Sequence, residues 1–158
     1  MQPEDLQEVF KLSDRIHPDL PEDYAIQERR LMLWPDGCKV LRHNHAIMGY
    51  AFAHPILAGH PPSLNTAPFS IPDHADEFYL HDIVVDPALR GFGAASSCVK
   101  LLLDEASSFS TTALVSVYGT VPFWSRFGFE KITLEMNGKL AAYGADAIFM
   151  RRLNNAFK

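Results

Sequence analysis

The sequence predicts a mixed α/β sheet flanked by helices. Three observations carry this. Helical spacing of apolar residues occupies the first thirty or so positions, and β-type runs follow it. Mid-chain, the stretch "VVDPALRGFGAASS" (Val84 to Ser97) leaves a β-branched run, turns, and opens an apolar helical pattern that leads to another β run. A strand–helix–strand crossover of that kind makes its two strands parallel. The chain has 158 residues, 47% hydrophobic and 21% charged, which suits one domain over 1–158 with one substantial core.

The elements follow in order. Leu6, Val9, Phe10 and Ser13 fall at helical spacing, so Glu4 to Ile16 reads as a helix that Pro18 stops. Pro21 suits a first helical turn, Glu22 and Asp23 suit the positive end of the dipole, and Pro35 lies just past the end, which predicts a helix from Pro21 to Leu33. Cys38 to Arg42 and Ala46 to Ala53 read as a hairpin around His43 to His45. Residues 55–76 carry five prolines and little periodicity. A loop of that length inside a domain is often functional. Phe78 to Val85 is a strand, Gly93 to Ser107 a helix and Ala113 to Tyr118 a strand. Val121 to Phe127 is a short helix. Phe129 to Leu134 and Ala147 to Arg152 form a closing antiparallel hairpin.

Bulk properties narrow the function. A net charge of −5 argues against a general nucleic-acid binder. No apolar run is long enough to span a bilayer, and the acidic amphipathic start is no secretory signal, so the expectation is a soluble cytoplasmic protein without a membrane role. Cys38 and Cys98 form no CxxC pair and read as reduced, mostly buried thiols. His54, His60 and His74 are too loosely arranged for a zinc site, and no metal is expected.

The stretch around Gly91 and Gly93 has a chemistry of its own. A helix N-terminus presents main-chain N–H groups without intrahelical partners and the positive end of a dipole. Glycines let a bulky anion approach that backbone, which makes a phosphate cradle, and Arg90 adds a charge able to grip phosphate. The Gly-Lys-Ser/Thr ending of a P-loop and the third glycine of a dinucleotide fingerprint are both missing.

Arg90-Gly91-Phe92-Gly93-Ala94-Ala95 resembles the Arg/Gln-x-x-Gly-x-Gly/Ala signature of the GCN5-related N-acetyltransferases (GNAT), and "LHDIVVDPALRG" is similar to the strand and turn that precede it. "VPFWSRFGFE", about thirty residues on, resembles the family's second signature. The resemblance covers Phe78 to Glu130. It implies a centrally splayed sheet, acetyl-CoA as cosubstrate, and transfer of its acetyl group to a primary amine by direct attack in a ternary complex. It also implies the division of labour. Ile83, Val84 and Val85 would pair with the pantetheine arm; amides of Arg90, Gly91, Phe92, Gly93, Ala94 and Ala95 would hold the pyrophosphate; Phe123, Trp124 and Arg126 would wall the far side.

Acetyl transfer benefits from a base for the amine and an acid for the thiolate. Strand alternation places Glu77, Tyr79, His81 and Ile83 on one face and Phe78, Leu80, Asp82 and Val84 on the other; a bulge would exchange His81 and Asp82. His81 is the expected proton relay, with Tyr79 or Glu77 assisting, because imidazole titrates near working pH. The family often carries a tyrosine as acid in the second motif. Trp124 stands there, and indole cannot perform that task, so Tyr118 is the replacement candidate. Phe10, Tyr24, Leu31, Trp34, Phe69 and the loop histidines are candidates for lining an acceptor site for a small-molecule or peptide amine. The acidic surplus favours a cationic acceptor weakly. The alternative is a domain that binds or senses acyl-CoA without turnover. Edge strands in such folds often pair between subunits, and a homodimer is one expectation.

Overall fold

The structure is a computed structural model and describes residues 1–67, 70–133 and 138–154. Four α-helices and six strands make up its regular structure among these residues. Helix α1 is Leu6–Ile16, α2 Tyr24–Leu33, α3 Ala94–Glu105 and α4 Val121–Ser125. The strands are β1 Cys38–His43, β2 Ala46–Ile56, β3 Glu77–Val85, β4 Thr111–Ser116, β5 Glu130–Lys131 and β6 Ile148–Leu153. They form one sheet in the order β1-β2-β3-β4-β6-β5. Only β3 and β4 run parallel, as a crossover through α3 demands; every other neighbour pair is antiparallel.

Helix α1 forms because its apolar residues recur on one face. Leu6, Val9 and Leu12 are buried against Tyr50, Phe52 and Val84 on one side of the sheet. The opposite side is covered by α3, whose Leu102 packs with Phe78, Leu80 and Leu114. No helix among the described residues is long and apolar enough to cross a membrane.

Several boundaries differ from the sequence expectation, each for a physical reason. The first helix begins at Leu6, after a short 3-10 turn over Pro3–Asp5. The second begins at Tyr24 instead of Pro21, because Asp23 is extended and its N–H donates to Asn65 Oδ1 at 2.7 Å while Glu22 turns inward. Strand β2 runs on through Pro55 to Ile56. Its last pair with β1 is Cys38↔Phe52, so one flank of β2 has no strand there and a missing N–H costs nothing on that flank. Strand β4 ends at Ser116, two residues short of Tyr118. Strand β5 is only Glu130–Lys131 within the expected Phe129 to Leu134, and Leu134 lies outside the described residues. The closing pair β5–β6 is antiparallel as expected, with β6 inserted beside β4.

Two features of β3 position everything that follows. Its pairing with β4 runs from Glu77↔Thr111 to Leu80↔Leu114 and stops there, although both strands continue. Its pairing with β2 skips one residue: Phe52 faces Asp82 and Ala53 faces Leu80, which makes His81 the extra residue of a bulge. Alternation therefore breaks after Leu80. Phe78, Leu80 and Ile83 pack on the α3 side, whereas Tyr79, His81, Asp82 and Val84 lie on the α1/α2 side. The expected common face of Glu77, Tyr79, His81 and Ile83 is thus corrected: Ile83 has crossed over, and Asp82 has joined His81.

Candidate functional site

The turn between β3 and α3 leaves its main chain open. Gly91 and Gly93 have φ of +85° and +83°, a left-handed conformation that costs glycine nothing and burdens residues with a Cβ. Nothing lies within 4 Å of where either Cβ would be, so the space in front of the turn is free. Ala94 to Ser96 open α3 and have no intrahelical acceptor; the first helical amide to find one is Ser97, on Gly93 O at 2.9 Å. None of the amides from Gly91 to Ser96 donates a hydrogen bond among the described residues. Asp86 shapes the approach by capping Ala88 N at 2.9 Å and pairing with Arg15 at 2.6 Å. Arg90 donates through Nε to Val85 O at 3.1 Å, which holds its exposed guanidinium at the end of β3. Phe92 projects into solvent, 83% exposed. Free amides, a helix N-terminus and an arginine suit a diphosphate.

Beside the turn lies the gap between β3 and β4. Past Leu80, β3 is bonded to β2 on one flank, through Ile83↔Ala51, Val84↔Tyr50 and Val85↔Gly49. Its other flank has no strand. His81 shows this: its side chain is 2% exposed, yet the residue as a whole is only half-buried, so the exposure lies on its main chain. An open strand edge needs substitute hydrogen-bond partners, and an extended chain bearing amides provides them.

Across the gap stands α4. Phe123 packs edge-on against Trp124 at 5.0 Å, and the Arg126 guanidinium lies 5.0 Å from the Phe123 ring centre. The Trp124 indole donates to Thr120 Oγ1 at 3.2 Å and packs edge-on against buried Phe129. These contacts hold it against the core on the α3 side.

The four expected proton-transfer residues are not gathered in one place. Glu77 is fully buried at the paired end of β3, where Arg151, the Thr111 hydroxyl and Gly59 N–H occupy its oxygens. Tyr79 is fully buried, and burial together with the neighbouring Tyr143 phenol raises its own phenol well above the ordinary value. His81 Nε2 donates to Glu22 Oε2 at 2.9 Å. Glu22 also takes both terminal nitrogens of Arg30, at 2.7 and 2.6 Å, and Arg30 is itself 1% exposed. Burial alone would raise the Glu22 carboxyl, but His81 and Arg30 hold it well below the usual carboxylate range. His81 is therefore locked into an ion-pair network that ties the segment before α2 to β3. Tyr118 stands apart, just beyond β4, with φ of +54° and its surface 51% exposed.

The Pro-rich loop is tied to the same network. Asn65 N–H donates to Glu22 Oε1 at 3.0 Å, Arg30 donates to Thr66 O at 3.0 Å, and Tyr143 hydroxyl donates to Pro62 O at 3.1 Å. The loop roofs a cavity of about 360 Å³ lined by His54, Pro55, His60, Pro61 and Lys139, among others. Burial pulls the His54 imidazole down to about 4. Of the other acceptor-lining candidates, Phe10 and Tyr24 meet edge-on at 5.8 Å, Leu31 is core, Trp34 packs against the core on the α3 side, and Phe69 lies outside the described residues. Among the described residues no cluster of His, Cys, Asp and Glu has the makings of a metal site. Cys38 and Cys98 are free, and burial pushes their thiols up to about 12 and about 11.

One arrangement escaped the sequence. His17, at the end of α1, places Nε2 3.2 Å from Asp82 Oδ1, and Tyr50 hydroxyl donates to Asp82 Oδ2 at 2.6 Å. The imidazole lies parallel to the Tyr118 ring, 5.7 Å between centres. The only signal in the sequence was a histidine before the helix-stopping Pro18. Its partner is 65 residues away, and only the bulge at His81 aims that partner toward it.

Comparisons with known proteins bear on the family and the fold. The acetyltransferase (GNAT) family model matches residues 4–129. Among solved structures, the GphF GNAT-like decarboxylase in complex with isobutyryl-CoA is 19% identical with a TM-score of 0.78, over 98% of this chain and 97% of that one. The loading GNATL domain of CurA from Lyngbya majuscula is 14% identical with a TM-score of 0.79, over 95% and 93%. The ribosomal-protein-S18-alanine N-acetyltransferase from Escherichia coli is 17% identical with a TM-score of 0.68, over 100% and 93%. A sequence search of curated proteins found no match. At these identities the structural neighbours speak for the fold, a mixed six-stranded sheet open between its two parallel strands and flanked by helices. The family match covers most of the sequence and both of its signature stretches, and the chain belongs to the GNAT acetyltransferase family.

Proposed function

We propose that the protein transfers the acetyl group of acetyl-CoA to a primary amine by direct attack. The observation that carries this reading is the set of undonated amides from Gly91 to Ser96 beside a strand edge that has lost its partner. The amides of Arg90, Gly91, Phe92, Gly93, Ala94 and Ala95 would surround the pyrophosphate. Arg90 N–H already donates to Pro87 O at 3.3 Å, so the Arg90 contribution would come chiefly from its guanidinium. Ile83, Val84 and Val85 would run alongside the pantetheine arm, although Val85 O is already engaged by Arg90. Phe123, Trp124 and Arg126 would form the opposite wall, with apolar area and one positive charge. Acetyl-CoA supplies an activated carbonyl: the amine nitrogen bonds to it, the carbon–sulfur bond breaks, and the thiolate leaves.

Tyr118 is our candidate for protonating that thiolate. Burial and the nearby Asp19, Asp82 and Asp146 raise its phenol, which keeps the proton available at working pH. Glu77, Tyr79 and His81 would act by holding the sheet and the segment before α2 in place.

A second reading rests on Trp124. With an indole where the family often has a tyrosine, the domain would bind acyl-CoA and not turn it over. Calorimetric titration with acetyl-CoA, followed by a thiol-release assay over a panel of primary amines, separates the two. Binding with thiol release supports transfer. Binding with no release for any amine supports the second reading, and absence of binding rejects both.

A further inference from the structure

His17, Asp82, Tyr50 and Tyr118 meet at the mouth of the gap between β3 and β4. Asp82 belongs to β3 just past its last pair with β4, and Tyr118 to the chain just past the end of β4. The His17 ring joins the two, bonded to the first and stacked on the second. The cluster therefore spans the point where the strands part.

Its hydrogen bonds have a direction. Asp82 is held from two sides, by Tyr50 through one oxygen and by His17 Nε2 through the other. A carboxylate at Nε2 fixes the proton of a neutral imidazole on that nitrogen and leaves the lone pair on Nδ1. His17 Nδ1 is buried and has no hydrogen-bond partner among the described residues. A buried acceptor without a donor is costly, and a ligand N–H would relieve it. Tyr118, stacked on the ring, has φ of +54°, a left-handed conformation that burdens a residue with a Cβ, and such strain gathers at functional sites. Rotation of its half-exposed side chain would open His17 Nδ1 to a ligand.

The surrounding charge is mostly negative. Asp82, Glu22 and Arg90 act on His17; Asp19, Asp82 and Asp146 act on Tyr118. With Glu22 already paired to Arg30, three carboxylates (Asp19, Asp82 and Asp146) stand against one arginine, which favours an ammonium over an anionic acceptor. Burial works to lower the His17 imidazole, yet Asp82 and Glu22 outweigh it and hold it above its ordinary value.

We propose that His17 Nδ1 is the base that takes a proton from a cationic primary amine acceptor, with Asp82 as the positioning residue behind it. The inference rests on the transfer reading above and deepens it. The ammonium gives up two protons in all. One leaves through His17 Nδ1 to solvent, and the nitrogen it frees bonds to the thioester carbonyl as the carbon–sulfur bond breaks. The second replaces the proton that Tyr118 passes to the departing thiolate.

The test uses the full chain, acetyl-CoA and the best amine of the panel. The pH profile of kcat/KM is measured for wild type, His17→Gln and Asp82→Asn, beside acetyl-CoA affinity by calorimetry and the His17 imidazole titration by NMR. His17→Gln is expected to lose about 100-fold or more in kcat/KM, to lose the acidic limb of the profile, and to keep acetyl-CoA affinity. Asp82→Asn is expected to lower the His17 titration and move the acidic limb to lower pH with it. A folded His17→Gln protein that keeps the wild-type rate and limb overturns the inference, as does one that loses acetyl-CoA binding instead. If His17→Gln does not fold, an acidic limb that stays put in Asp82→Asn overturns it. Wild type that is silent with every amine overturns the transfer reading itself and this inference with it.

Discussion

Arg30 is the largest fully buried side chain among the described residues, and its charge is met by Glu22 in a two-pronged pair. Breaking a buried pair leaves an uncompensated charge, so Arg30→Ala is expected to cost about 3–5 kcal/mol of stability. A urea midpoint that barely moves would show that the pair is idle. Arg90 presents the opposite situation. It is exposed and anchored only through Nε to Val85 O, so replacing it should leave the fold alone and act on the ligand. Arg90→Glu is expected to weaken acetyl-CoA binding about tenfold or more, because a charge-assisted bond contributes about 1.5–3 kcal/mol. Unchanged affinity by calorimetry would remove Arg90 from the cradle. The two arginines look alike in a sequence. What separates them is whether a carboxylate 8 residues away turns inward, and the extended Asp23 that lets Glu22 do so.

At the scale of elements, β3 does three jobs with nine residues. Its first half pairs on both flanks and closes the core; its second half pairs only with β2; and the bulge between them rotates Asp82 toward α1. The free flank makes a prediction of its own. On addition of acetyl-CoA, hydrogen exchange should slow at amides within Ile83 to Val85 and Gly91 to Ser96, while the doubly paired half around Phe78 to Leu80 stays unchanged. Protection that appears elsewhere and not at these amides would move the ligand out of the gap. The strands, the crossover helix and the Gly91/Gly93 turn were all legible, because each is a local pattern: β-branched runs, helical spacing, and glycines where φ is positive. The bulge was legible only as an option. Whether a strand takes an extra residue depends on its neighbour's register, and Phe52↔Asp82 beside Ala53↔Leu80 is a property of two strands.

At the scale of the molecule, the buried His54 and Glu22 shape the response to acid. The His54 imidazole sits at about 4 in the folded protein, below the ordinary imidazole value of about 6.5. The unfolded chain therefore binds a proton first as the pH falls. The stability that His54 contributes is complete above about pH 6.5 and drains away as the pH drops toward 4. The Glu22 carboxyl, held far down by His81 and Arg30 against the opposing effect of burial, adds a further loss once the pH falls below the ordinary carboxylate range of about 4.3. Urea midpoints measured from pH 7.5 to 4 should decline across the upper window, and His54→Gln should flatten that decline. An unaltered slope in the variant would assign the loss to other groups.

The amino-acid order alone determined the element order, the parallel crossover, the glycine turn at Gly91 and Gly93 and the short helix that carries Phe123 and Trp124. These depend on residues near one another in the chain, where spacing and turn chemistry act directly. Tertiary structure alone decided which ionisable side chains share a site. It enclosed His81 with Glu22 and Arg30, spent Glu77 on Arg151, and brought His17 to Asp82. The pairs His81–Glu22, Glu77–Arg151 and His17–Asp82 lie between 59 and 74 residues apart. A hydrogen bond is set by ångströms in space, and a one-residue bulge is enough to change which of two adjacent side chains meets its partner.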